Sequence, residues 1–325
     1  MTSPNITYQP NVVVLSGDDS LDVLARSDFT TTRHVEFLEN LAARLKLDFS
    51  ATITVMKHLP LWADGSHHQF LRQETAAFLG THRGRKIAQA GRDLQDTFRH
   101  FMMDPNETVD MLGLVQAMVA DLMVQVTGLA KRSTHLQQGL NVFSSNLGIA
   151  ARLRLETELQ SQLRQASSLY PDESCRAHAI RVGQWSMGYD SLVGTVSLSV
   201  HRHLKQIGTS SLRSNPMSET PSATGVPKIG RIAARDTIVS GCPVPRGSLV
   251  ECYLDAQTGT NKRLGFFGAG AHLCLGRPLA LEFFRMVSRQ FNACDFGLDI
   301  TSYRLQDCDV FAIPAVFTVR KVGAN

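Results

Sequence analysis

The stretch FFGAGAHLCLG, Phe266 to Gly276, sets Cys274 beside Gly268, Gly270 and Gly276, with His272 two residues before it. A cysteine that only fills core needs no neighbours that let backbone pass close. A metal ion keeps an adjacent thiolate deprotonated, and a lone axial cysteine is one way in which proteins hold haem iron. Gly268 and Gly270 permit a tight turn at positive φ, and Gly276 lets the chain pass a flat macrocycle before a helix begins. Backbone N–H groups of such a turn can donate to the sulfur and lower its electron density. His272 is placed to reach a carboxylate of the macrocycle. The alternative is a buried, inert cysteine in a glycine turn.

These residues need elements to position them. NVVVLSGDDSLDVLARS reads as a short β-branched strand, a turn and cap at Gly17 to Ser20, and a helix. From Arg33 to about Thr195, apolar residues three and four apart predict helices, among them HHQFLRQETAAFLG, MLGLVQAMVADLMVQV and ARLRLETELQSQLRQ. Residues 178–207 predict one long helix, with small or polar residues at its middle. The Ser-, Thr-, Pro- and Gly-rich segment 208–227 reads as a loop or weakly ordered connector. Short strands follow in IGRIAARDTIVSGCPVPRGSLVECYLDA, with Gly241 and the Val244–Gly247 turn marking a hairpin. A helix from about Arg277 to Phe291, with Pro278 in its first turn, and a final strand pair complete the chain. The expected class is mainly α with small β-sheets, an α+β arrangement.

Composition bounds the function classes. The 325 residues are 43% hydrophobic and 19% charged, as in an ordinary globular protein with a sizeable core. A net charge of +4, with no basic stripe, points away from nucleic acid. Six cysteines, Cys175, Cys242, Cys252, Cys274, Cys294 and Cys308, show no zinc-like or disulfide-framework spacing, which favours a reducing compartment. The N-terminus lacks the apolar run of a signal peptide, and Met111 to Ala130 is broken by Gln116, Asp121 and Gln125. Both features predict a cytoplasmic chain without a membrane span.

Phe267 to Gly276 matches every position of the cysteine-loop motif of the cytochrome P450 family, and LALE (279–282) resembles the start of that family's next helix. The resemblance runs from about Val12 to Arg320 and implies a single, truncated P450-like domain. Its parts are an N-terminal β/helix region (12–32), a helical region with the distal helix (64–207), a connector (208–227), and a hairpin, cysteine loop and proximal helix (228–325). Cys274 would be the axial ligand of haem b, with Phe267, Gly268 and Gly276 shaping the loop. His68 and Arg72 resemble the family's His-x-x-x-Arg pair, which binds haem propionates with His272 and an arginine matched here by Arg231. Read alone, His68 and Arg72 are more often a solvated surface pair, and Arg231 fits a surface arginine on an edge strand equally. MGYDSL resembles the distal-helix signature. It implies that Gly188 opens space for dioxygen, and that Asp190 and Ser191 are the catalytic acid and alcohol that deliver protons. Met187 stands where the family has a small residue, and Ser191 where threonine is commoner.

The match has gaps. The chain reads as starting at the second strand of the N-terminal sheet, without the helix before it, and soluble members are usually markedly longer. Glu219 stands where a Glu-x-x-Arg helix is expected, but Ser222 replaces the arginine and Pro221 disfavours helix between them. The proximal face must be braced differently, by other packing or by a second subunit of a homo-oligomer. The resemblance implies a monooxygenase of a small, moderately apolar molecule, from secondary metabolism by family habit. Pocket residues are expected from Thr52 to Trp62, near Trp185 and Tyr189, and at Ile232 to Ala234. Electrons would come from a ferredoxin or flavodoxin docking near Arg277, Arg285, Arg289, Lys262 and Arg263, which read equally as a solvated face. The alternatives are a peroxide-driven or redox-neutral haem-thiolate enzyme and a non-enzymatic haem-binding protein.

Overall fold

Helical spacing and β-branched runs become helices and strands where the sequence places them. The computed structural model describes residues 7–9, 12–81, 83–103, 107–130, 147–254, 265–306 and 310–323. The chain is divided between two units. The first is Met1–Phe78, Val142–Ile180 and Val226–Leu275, and the second Leu79–Asn141, Arg181–Gly225 and Gly276–Asn325. Cys308, Lys262 and Arg263 lie outside the described residues.

In the first unit β1 (Thr7–Gln9) and β2 (Val12–Leu15) lead into α1 (Asp18–Ala25) and β3 (Phe29–Thr30). Asp18 and Asp19 in the first turn of α1 complement its dipole. There follow α2 (His34–Leu45), α3 (Ser50–Lys57), a 3₁₀ turn at Pro60–Trp62, and α4 (Gly65–Gly80). Later segments add α7 (Ile149–Leu169), β5 (Lys228–Ala233), β6 (Thr237–Val239), β7 (Cys242–Val244) and β8 (Leu249–Tyr253). The sheet order is β1-β2-β8-β5-β3, with β2 and β8 parallel and the other pairs antiparallel. β6 and β7 form the hairpin expected around Gly241, whose φ is 81°. Val13, Leu15, Val23, Leu24, Val250 and Cys252 bury one face of the sheet against α1, and Ala269 of the cysteine loop packs onto the same cluster. Glu156 of α7, itself buried, accepts from the backbone N–H groups of Ala51 and Thr52 at 2.8 and 2.9 Å and so caps α3 from another helix.

The second unit contains α5 (Arg83–Met102), β4 (Thr108–Asp110) and α6 (Met111–Thr127). Asp110 caps α6 through Gly113 N, and Gly128 ends it in the left-handed region. α6 is the expected core helix, and its buried Asp121 accepts from Thr97 Oγ1 of α5 at 2.6 Å. α8 (Cys175–Ile207) is the long helix, and its residues from Arg181 onward belong to this unit. Arg277–Asn292 forms α9, with Pro278 in its first turn, and Phe98 of α5 meets Phe291 edge to face. β9 (Gly297–Leu305) and β10 (Pro314–Val322) make a sheet of order β4-β10-β9.

Residues 208–225 form no helix or strand, as the composition implies, but they are well tied. Ser222 N and Ala223 N donate to Ser199 Oγ, and Gly225 N donates to Thr195 Oγ1 at 2.9 Å. A Cβ at Gly225 would lie 2.5 Å from Ser191 O, so the connector runs directly against α8. No described helix is long and apolar enough to cross a membrane.

Candidate functional site

The cysteine loop is a closed turn. Gly268 (φ 74°) and Gly270 (φ 65°) occupy the left-handed region that their spacing predicts. Gly268 N donates to Gly265 O, and Cys274 N to Phe267 O at 2.9 Å, which fixes Phe267 as the far end of the turn. Gly276, by contrast, has an ordinary αR backbone at the cap of α9. Cys274 is solvent-exposed and not in a disulfide.

Four predicted side chains from separate segments converge beside this loop. α4 supplies His68 and Arg72, β5 supplies Arg231, and the loop itself supplies His272. The His68 and His272 rings lie 4.0 Å apart. Arg72 Nη1 donates to Leu273 O at 2.8 Å, one residue from Cys274. Burial pulls the Arg72 pKa down, and a Cys274 thiolate opposes that shift. Arg231 is 6% exposed, and its one hydrogen bond among the described residues goes to Gly230 O. Burial lowers its pKa as well. His68 is 3% exposed, and its Nε2 has no hydrogen-bond partner among the described residues.

Burial, then Arg231 and His68, push the His272 pKa down to about 4. Burial, then Arg72, lowers that of His68. The imidazoles are therefore neutral near pH 7, and the arginines carry the positive charge. A desolvated guanidinium with unused donors, next to an orphaned ring nitrogen, is a site short of an anion. Two carboxylates at the edge of a macrocycle ligated by Cys274 fit this donor set.

Asp64 also belongs to the cluster, although nothing in its local sequence singles it out for that role. Its Oδ2 accepts from Thr31 N and Oγ1, and its Oδ1 faces His272 Nε2 at 3.6 Å. An acid one residue before a helix is an N-cap signal, but here the carboxylate turns away to Thr31, just after β3, and to the loop.

Gly188, Asp190 and Ser191 lie on α8 in the second unit. Ser191 Oγ donates to Gly188 O at 3.1 Å. Asp190 is buried, whereas Gln184, Met187, Gly188, Ser191 and Thr195 form a half-buried stripe at spacings of three and four. A Cβ on Gly188 would come 2.9 Å from Met123 Cε, so this glycine lets α6 approach α8. Trp185, expected near a substrate, donates from its indole to Ala130 O at 3.0 Å. Thr52, expected likewise, donates from its hydroxyl to Glu156. Glu219, the surviving acid of the missing motif, pairs with Arg289 at 3.1 Å and Arg285 at 4.0 Å on α9.

No protein-family model and no curated protein matches the sequence. Solved structures do match. CalO2 aligns over 100% of this chain and 94% of its own, with a TM-score of 0.78 and 16% identity. The versatile cytochrome P450 enzyme CYP109B1 from Bacillus subtilis aligns over 98% and 96%, with a TM-score of 0.71 and 15% identity. The tirandamycin C-bound P450 monooxygenase TamI aligns over 95% and 89%, with a TM-score of 0.70 and 16% identity. Mainly helical with small sheets, and following these structures over nearly its whole length, the chain has the cytochrome P450 fold.

Proposed function

We propose that the chain is a haem-thiolate monooxygenase, with Cys274 as the axial ligand of haem b and a small, moderately apolar secondary metabolite as substrate. The observation that carries this reading is the cluster beside the cysteine loop: Arg231 with unused donors and His68 with an orphaned Nε2. Haem bound through a thiolate supplies electron-rich iron, which favours O–O cleavage. Arg72, Arg231, His68 and His272 would hold its carboxylates. Gly268 and Gly276 would keep side-chain bulk low around the ligand, and Phe267, whose carbonyl accepts from Cys274 N, closes the turn. Asp190 would relay protons through water, and the Ser191 hydroxyl, which donates to Gly188 O, keeps lone pairs with which to accept from that water. The secondary-metabolite class is supported by family habit and by the tirandamycin C bound in TamI. A ferredoxin or flavodoxin would supply electrons, docking near Arg277, Arg285 and Arg289, the last two of which also pair with Glu219.

The test is the absorption spectrum of the reduced carbon monoxide complex, on protein purified with added haem precursor. A red-shifted Soret band is expected, and its absence ends the haem-thiolate reading. Turnover with reductant and dioxygen should exceed turnover with hydrogen peroxide alone, and the reverse would assign a peroxygenase. Asp190→Ala and Ser191→Ala should each slow turnover by about 10²-fold or more, whereas a non-enzymatic haem protein would keep its function in both.

A further inference from the structure

The Glu-x-x-Arg arginine is missing, yet the cysteine loop is held firmly, and α1 is what holds it. Gly270 lies so close to the last turn of α1 that a Cβ there would sit 2.6 Å from Ala25 Cα and 2.8 Å from Leu24 O. That last turn is locked in place by the next residue. Arg26 grips Asp28 through two parallel hydrogen bonds, Nε to Oδ1 at 3.0 Å and Nη2 to Oδ2 at 2.6 Å. Its Nη1 donates to Ile238 O at 2.8 Å, and its Nη2 to Thr237 Oγ1 at 2.5 Å. Thr237 closes the ring by donating to Asp28 Oδ2 at 2.6 Å. The first turn is fastened to the same hairpin, since Ser240 Oγ donates to Asp19 Oδ1. Arg26 foremost, with Thr237, holds the nearly buried Asp28 carboxyl well below the usual carboxylate range, as a fixed, charge-assisted clamp does.

We propose that Arg26, Asp28 and Thr237 are positioning residues for Cys274. They fix the end of α1 against the β6–β7 hairpin, and α1 in turn sets the Gly270 turn from which the ligand cysteine hangs. Arg72 completes the support at Leu273 O, and Ile229 and Ala269 seat the loop on the sheet core. The clamp takes the place of the absent arginine brace from within the chain, with no second subunit required. The consequence for chemistry rests on the haem-thiolate reading above, whereas the mechanical claim stands on these contacts alone.

Two readouts separate the claims. The first is the rate at which iodoacetamide alkylates Cys274 in the haem-free full chain, resolved by mass spectrometry, with the exposed Cys175 as internal reference. Asp28→Asn should change the Cys274 rate at least threefold and leave Cys175 unchanged. Thr237→Val, which removes two hydrogen bonds at nearly constant volume, should act in the same direction if Asp28→Asn folds poorly. Gly270→Ala should reproduce the effect, and combined with Thr237→Val it should add little. Glu39→Gln, which breaks the Lys57–Glu39 pair of the same unit, should do nothing. The second readout is the share of the reduced carbon monoxide complex with the red-shifted band, expected to fall severalfold in the clamp variants at equal haem content. Unchanged Cys274 alkylation in Thr237→Val and Gly270→Ala, in chains that remain folded, overturns the proposal. A wild-type chain without the red-shifted band overturns the haem reading, while the alkylation rates still decide the clamp.

Discussion

Among the described residues, Arg231 is a buried cation that uses one of its five donors on a neighbouring carbonyl, and His68 buries a ring nitrogen that bonds nothing. Both arrangements cost stability in the ligand-free chain, because a polar group taken from water without a partner keeps its desolvation penalty. Such a cost at two adjacent residues is what a site prepared for an anion looks like. Removing the groups should therefore move stability and cofactor affinity in opposite directions. Arg231→Met should raise the urea midpoint of the haem-free protein by the equivalent of about 1 kcal/mol or more while speeding haem loss to an excess of apoglobin at least tenfold. His68→Phe should show the same pair of signs with smaller amplitudes. A fall in the midpoint together with unchanged haem retention would make Arg231 a structural residue.

At the scale of elements, the close approaches along α8 rank its glycines. A Cβ on Gly194 would strike backbone, the Ala312 carbonyl and Gly225 Cα at 2.8 Å, and neither can rotate away. A Cβ on Gly188 would meet only the methyl end of Met123, a flexible side chain. Alanine also gains up to about 1 kcal/mol over glycine in a helix interior. Gly194→Ala should therefore destabilise by about 2 kcal/mol or more through overpacking, and Gly188→Ala by less than about 1 kcal/mol. Thermal unfolding of the two single variants measures the difference, and equal midpoints would mean that the connector is free to shift off α8. The buried cap from Glu156 to α3 offers an independent check. Glu156→Ala strands two backbone donors and should cost about 2–3 kcal/mol.

At the scale of the whole molecule, periodicity made most elements readable, since α4, α6, α8 and α9 owe their faces to local spacing. His68, Arg72, Arg231 and His272, which the structure brings together beside Cys274, were readable because the family resemblance names residue types at fixed places in the chain. Asp64, Arg26, Asp28 and Thr237 were not. Their roles arise between segments as far as 212 residues apart in sequence, and nothing local marks an arginine after a helix as a clamp. The space beside Gly188, filled by a methionine from another helix, was hidden for the same reason.

Acid response is the remaining molecular property set by these burials. His272 titrates at about 4 in the fold, and His68 is shifted down as well, so both rings are held neutral. Burial gives the same sign at His201 and His203 of the second unit. Between about pH 6.5 and 4 the unfolded chain binds protons that the folded chain refuses, so stability rises with pH across this window. Each ring contributes at most about 1.4 kcal/mol per pH unit. Asp28 acts with the same sign in a lower window: its depressed carboxyl stabilises above about pH 4, the unfolded value, and loses that contribution only below it. The urea midpoint of the haem-free protein should therefore climb from pH 4.5 to 6.5 and level off above, and His272→Asn should make the climb shallower. A midpoint that is flat or falls as pH rises through that range would mean that these imidazoles are charged in the folded chain, and the anion-deficient cluster beside Cys274 would lose its electrostatic basis.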